Sequence, residues 1–367
     1  MSDNILDYLK KYGDTSLSDV SFNNVDSAIL CQLVYLKFDG LIPEYSNDPE
    51  GISLRQISEH KDHEGLFADK KYEKLNRHLF ELLISSKRFC DVRLRDYRNI
   101  IDKETQIQFC AVTYLLPDGQ VYICFRGTDE TLVGWKEDFN MTYLDAVPAQ
   151  KSALEYLTSE AELIDGCFIV GGHSKGGNLS VYASMNAPQE TRDRITKIYS
   201  FDGPGFRKEV INRSKYDDIR DRIVKLIPQS SVVGLLAEYD RIYKVIKSSS
   251  IGLSQHLIYN WTVEDRDFAP GDDIKGPARI FDTTFNEWIE GLDEEKRKSF
   301  SDCMYAIIDS CDANDRIAFA ESPLKNMNKI LSAARGLDEG SAKMLRSIAI
   351  KFFEEAGTQI RSEIGRK

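Results

Sequence analysis

Cys167-Phe168-Ile169-Val170-Gly171-Gly172-His173-Ser174-Lys175-Gly176-Gly177-Asn178-Leu179 decides how the rest of the chain reads. An apolar run of strand length enters the stretch, and a glycine-flanked serine leads straight into a segment that continues as a helix. Gly172-His173-Ser174-Lys175-Gly176 fits G-x-S-x-G, the nucleophile elbow. Such an elbow is a strained strand-to-helix turn that lifts a serine hydroxyl above the end of a parallel sheet. Its glycines are needed because strand and helix backbones pass too close there for side chains.

Upstream, residues 106–116 and 121–125 read as two strands joined by the turn Pro117-Asp118-Gly119, a hairpin. Arg126-Gly127-Thr128-Asp129 closes the second strand in a polar loop, and residues 149–163 read as a helix. Downstream, helix 178–185 leads past Pro188 to strand 195–201, then to the turn Asp202-Gly203-Pro204-Gly205 and strand 223–227. Strands alternating with helices predict a doubly wound, mostly parallel sheet, with ligands at the carboxyl ends of its strands. The flanks read as helical: residues 26–36 and 72–89 on one side, and 299–308, 324–334 and 341–356 on the other. The fold class expected is therefore α/β, a mostly parallel central sheet flanked by helices. It divides into a helical N-terminal region (1–104) packing on the core, an α/β core (105–265) and a helical C-terminal region (266–367). The joints fall at residues 269–273 and at Gly336.

Composition narrows the function. A formal net charge of -11 argues against nucleic acid or an anionic membrane as partner. No apolar run reaches the length of a membrane span, and the first residues lack the basic and apolar regions of a signal peptide. The seven cysteines, Cys31, Cys90, Cys110, Cys124, Cys167, Cys303 and Cys311, show no C-x-x-C spacing. They read as free thiols of a cytoplasmic protein rather than disulfides or zinc ligands. Neither a metal nor an organic cofactor is expected.

A serine nucleophile needs a base, and of the five histidines only His256 follows the elbow, as the order serine, acid, histidine requires. His60, His63 and His78 precede it, and His173 stands inside the turn with its side chain directed elsewhere. For the acid, Asp202 follows the next strand, although an aspartate before glycine also caps turns. Asp240 and Glu238 are rivals after strand 223–227. An oxyanion hole needs two backbone N–H groups. Lys175 supplies one, and the Gly127-Thr128 loop is placed to supply the other. Arg126, whose charge ester cleavage does not need, reads as structural, paired with an acid in the core.

Phe125-Arg126-Gly127-Thr128 with Trp135 and Asp138, upstream of a Gly-His-Ser-x-Gly elbow, resembles the F-R-G-T/S…W-x-x-D signature of class 3 (fungal-type) lipases. The elbow, Phe201-Asp202-Gly203-Pro204-Gly205-Phe206, residues 227–234 and Gln255-His256 resemble more closely a bacterial branch of that superfamily with a Gly-His-Ser-Lys-Gly-Gly-Asn elbow. The resemblance spans about residues 26–263 and implies an α/β-hydrolase core. It implies Ser174 as nucleophile, His256 as base, Thr128 as oxyanion residue and Asp138 as the aspartate orienting it. Residues 130–135 match the lid, with Leu132, Val133 and Trp135 as its apolar face. The substrate implied is a small-molecule or lipid carboxylic ester, and the same machinery also cleaves thioesters and amides. Where those lipases carry their acid, this chain has Ser231. Either the acid has moved, to Asp202 or Asp240, or the pair works without one. A third reading stays open, a catalytically degenerate hydrolase fold serving as a binding or scaffold protein, with the C-terminal helices as its partner surface.

Overall fold

The computed structural model describes residues 3–309, apart from 46–47, 70–71, 130 and 239. The helices expected over 324–334 and 341–356, and the joint at Gly336, lie outside the described residues. Eight strands form one sheet in sequential order. They are β1 (Ile52–Ser53), β2 (Arg93–Asp102), β3 (Ile107–Leu115) and β4 (Val121–Phe125), then β5 (Phe168–His173), β6 (Ile195–Phe201), β7 (Ile223–Pro228) and β8 (Tyr243–Ile246). Pairing is antiparallel from β1 to β4 and parallel from β4 to β8.

The N-terminal helices are α1 (Ile5–Tyr12), α2 (Asn24–Leu33), α3 (Leu54–Glu59) and α4 (Glu73–Ser85). Between β4 and β5 come α5 (Leu132–Asn140) and α6 (Pro148–Leu163). The elbow opens α7 (Lys175–Asn186), followed by α8 (Gln189–Arg194) and α9 (Arg213–Arg220). A C-terminal pair, α10 (Gly276–Glu290) and α11 (Glu294–Asp309), encloses its own small core of Phe285, Trp288, Ile289 and Phe300.

Side chains alternate across β4 and separate two cores. Val121, Ile123 and Phe125 face α6, α7 and α9, whereas Tyr122 and Cys124 face α1, α2 and α4. Burial on both faces explains the nearly continuous apolar character of these strands. The winding differs from the doubly wound expectation. Because each parallel strand adds beside the last in one direction, right-handed crossovers carry α6, α7 and α9 onto one face. The other face is covered by the N-terminal helices.

Strand β2 is absent from the sequence reading, which starts the sheet near residue 105. Its sequence, Arg-Leu-Arg-Asp-Tyr-Arg-Asn-Ile-Ile-Asp, carries charge at positions that turn out to be buried. The register shifts between Arg95 and Arg98, where Asp96 takes a positive φ of 53° and pairs with Arg95. A bulge thus hides the alternation that marks a strand.

The N-terminal layer is tied together by one buried ion pair. Arg88, 1% exposed, donates to both carboxylate oxygens of Asp26 at 2.8 and 2.5 Å and to the Val20 carbonyl at 2.9 Å. Asp26 also accepts from the Tyr8 hydroxyl and the Asn23 N–H. Replacing Arg88 by Met leaves that carboxylate buried without its cation. The expected cost is about 3–5 kcal/mol of unfolding free energy, measured by urea denaturation.

Candidate active site

β5 ends at His173, and Ser174 turns the chain into α7 with φ 58° and ψ -130°, a conformation that L-residues rarely adopt. The turn is held by the Ser174 N–H, which donates to the Phe201 carbonyl at 2.9 Å. A Cβ at Gly176 would collide with the Phe125 carbonyl, so strand and helix reach this proximity only with glycine there. The loop after β4 lies against the elbow, because a Cβ on Gly127 would come within 3.0 Å of the Ser174 Cβ. Asn178, at the start of α7, ties the elbow to the turn after β6. It donates to the Pro204 and Gly205 carbonyls at 3.2 and 2.9 Å and accepts from Gln150 at 2.8 Å.

His256 closes a short 3-10 turn after β8, and its side chain is 26% exposed. Its Nδ1 donates to Asp202 Oδ2 at 2.7 Å, which leaves Nε2 free to accept a proton. Asp202 follows β6 with a positive φ of 48°, and its side chain is 1% exposed. The second carboxylate oxygen accepts from the Ser231 hydroxyl, which in turn accepts from the Gly234 N–H at 2.9 Å. Of the three acid candidates the structure therefore brings Asp202, and neither Asp240 nor Glu238, to His256. Asp240 pairs with Arg220 at 2.7 Å, and Glu238 pairs with Lys225.

His173 points away from the Ser174 side chain, as expected, and finds a use that the sequence did not suggest. Its Nε2 lies 2.8 Å from the His256 carbonyl, which can only accept, so Nε2 carries the proton. Nδ1 then accepts from the Tyr35 hydroxyl at 3.1 Å. The two imidazoles lie against each other with ring centres 4.4 Å apart. Burial, and then the adjacent His256, hold the His173 pKa well below the usual histidine range. The neighbouring carbonyl, that of Gln255, accepts from Trp261 Nε1 at 2.8 Å, so two donors fix the backbone that carries His256. Among the described residues Ser174 Oγ has no hydrogen bond to His256. Serine–base contacts commonly tighten only when substrate is bound.

Thr128 Oγ1 donates to Asp138 Oδ2 at 2.6 Å. Among the described residues neither the Thr128 nor the Lys175 backbone N–H donates to another protein group. Arg126 is buried and donates to Asn99 at 3.0 Å and Asp129 at 3.3 Å, in keeping with a structural role. The matched lid segment runs into α5, which Thr131 caps through the Gly134 N–H. No group of side chains suited to a metal occurs among the described residues. Nor does any described helix have the length and apolarity to cross a membrane.

The model of the Mbeg1-like family matches residues 83–306, more than half of the chain, and the chain belongs to that family. No curated protein sequence matches it. Among solved structures, the chain is similar to the lipase of the Rhizomucor miehei lipase–propeptide complex (11% identity, TM-score 0.30). That match covers 44% of this chain and 58% of the other, less than two thirds of its length. M37 lipase is similar at 14% identity and TM-score 0.37, over 59% of this chain and 70% of the other. The lipase from Rhizopus microsporus var. chinensis is similar at 16% identity and TM-score 0.33, over 58% and 80%. The fold itself is α/β, a mostly parallel sheet flanked by helices, as expected.

Two measurements check the strain and the electrostatics of this site. Glycine tolerates the Ser174 backbone angles, so Ser174→Gly is expected to raise stability by about 1 kcal/mol in denaturant melts, despite glycine's entropy cost. Burial pushes the Asp138 carboxyl up to about 6, with the Lys175 charge opposing the rise. Between about pH 4 and 6 the folded protein holds a proton that the unfolded chain has released. Asp138 therefore subtracts stability as pH rises through that window. Asp138→Asn is expected to flatten that part of the stability–pH curve.

Proposed function

We propose that this Mbeg1-like protein is a serine hydrolase that cleaves carboxylic esters, lipid esters among them, with Ser174, His256 and Asp202 as its triad. The observation that carries the reading is the 2.7 Å hydrogen bond from His256 Nδ1 to the buried Asp202 carboxylate, made beside the elbow. A histidine so oriented presents an unprotonated Nε2, and the carboxylate stabilises the imidazolium once a proton arrives. Ser174 Oγ attacks the ester carbonyl and its proton passes to Nε2. The backbone N–H groups of Thr128 and Lys175 hold the oxyanion. Collapse of the tetrahedral intermediate releases the alcohol, which takes the proton from His256. Water, activated by the same histidine, then frees the acid from Ser174. Asp138 aids by accepting the Thr128 hydroxyl, which fixes the loop on the oxyanion side.

Ser231 supports the relocated acid. Where the resembling lipases carry a carboxylate, this chain carries a hydroxyl whose hydrogen bond steadies Asp202.

A fluorophosphonate probe and a series of 4-nitrophenyl esters test the reading. Wild type is expected to be labelled and Ser174→Ala not. Asp202→Asn is expected to lower kcat by about 10⁴, as loss of tautomer control does elsewhere. Asp240→Asn is expected to leave the rate unchanged. If wild type is labelled no better than Ser174→Ala and hydrolyses none of the esters, the reading falls and the non-catalytic alternative replaces it.

A further inference from the structure

The two residues whose N–H groups face the proposed oxyanion are held by consecutive carboxylates of one helix. Asp138 of α5 accepts the Thr128 hydroxyl at 2.6 Å, and Glu137 accepts the Lys175 ammonium at 2.9 Å. Side-chain exposure is 1% for Lys175 and 0% for Glu137, so solvent screens nothing in this pair. The three ammonium donors are all used, on Glu137 Oε2, the Gln108 carbonyl at 2.7 Å and Gln108 Oε1 at 2.6 Å. Glu137 also accepts the Gln108 N–H at 3.1 Å and the Ala149 N–H at 2.7 Å. Helix α5 is thereby locked to β3, to the start of α6 and to the first residue of α7. Its outer side is clamped by α11, through the Lys136–Asp302 ion pair and a hydrogen bond from Ser301 to Asn140 at 3.1 Å.

We infer that Glu137 is a positioning residue for the reaction, and that α5 is a fixed bracket setting the separation of the two oxyanion donors. This rests on the reading of Ser174 as nucleophile. It replaces the picture of a moving lid for the body of α5. Through Lys175, Glu137 holds the first residue after the nucleophile, while Asp138 one residue later holds Thr128. A shift of α5 displaces both donors together.

The test uses the full chain and a double substitution, because Glu137→Gln alone leaves the Lys175 ammonium buried with a weaker partner and is expected to unfold easily. Glu137→Gln with Lys175→Met removes both charges, keeps one of the two oxygens that accept the Gln108 and Ala149 N–H groups, and is expected to fold. Its maximal rate of labelling by a fluorophosphonate is expected to fall about 10- to 100-fold, as an ångström-scale misplacement does, with the half-saturating probe concentration unchanged. The Ile195→Ala variant, which empties a buried position at the amino end of β6, the end of the sheet away from the elbow, is expected to keep the wild-type rate below its melting temperature. It separates positioning from general destabilisation. A double variant that reacts at the wild-type rate overturns the inference.

Should wild type itself fail to label, the hydrolase reading fails separately, and amide hydrogen exchange decides the bracket. Residues 126–141 and 174–178 are expected to lose protection together in the double variant. Unchanged protection there overturns it.

Discussion

A lysine ammonium sealed from water must be neutralised where it lies, and the Lys175 ammonium lies at the first turn of the elbow helix. Its 2.9 Å pair with Glu137 draws α5 down onto β3 and α7. The charges act in a dry setting, where removing one partner costs far more than removing both. The arrangement therefore tolerates replacement of the whole pair but not of half of it. The neighbouring Asp138 feels the same cation, which offsets part of the penalty of its own burial.

The acid of the proposed triad illustrates how one geometric requirement is met from two places. An imidazole Nδ1 needs a carboxylate oxygen in its plane, and the ends of adjacent parallel strands lie close enough for either to supply it. Here the carboxylate comes from the end of β6, at a positive-φ residue, and the end of β7 contributes the Ser231 hydroxyl. Ser231, where the resembling lipases carry their acid, is thus a hydrogen-bond partner of Asp202.

The elbow, the hairpin before it and the parallel strands as far as β7 were legible because their side chains follow the period of their elements and their glycines stand where backbones approach, whereas the short β8 went unread. β2 was not, because its buried arginines and aspartate mimic a solvated segment until their pairing is seen. Elimination among five histidines pointed to His256, while chain order left Asp202, Asp240 and Glu238 open, and it is the fold that brings Asp202 alone of these to His256. The roles of Tyr35, His173 and Glu137 were out of reach, since each depends on a contact between segments far apart in the chain. Lys175 carried a usable signal, since a charged residue within an apolar, glycine-rich turn demands a buried counter-charge, but the sequence offers both Asp129-Glu130 and Glu137-Asp138 and only the fold selects Glu137.

The winding of the sheet explains why the N-terminal helices belong to the site's construction although the family match begins at residue 83. With α6, α7 and α9 on one face, the opposite face of β4, β5 and β6 would expose Tyr122, Cys124, Ile169, Tyr199 and Phe201. Helices α1, α2 and α4 cover that surface, and the chain just past α2 delivers the Tyr35 hydroxyl to His173 Nδ1. The His256 carbonyl, which can only accept, requires the His173 proton on Nε2, and Tyr35 satisfies the nitrogen left without one. The segment that closes the core thereby also completes the hydrogen bonding of the imidazole that holds the His256 backbone.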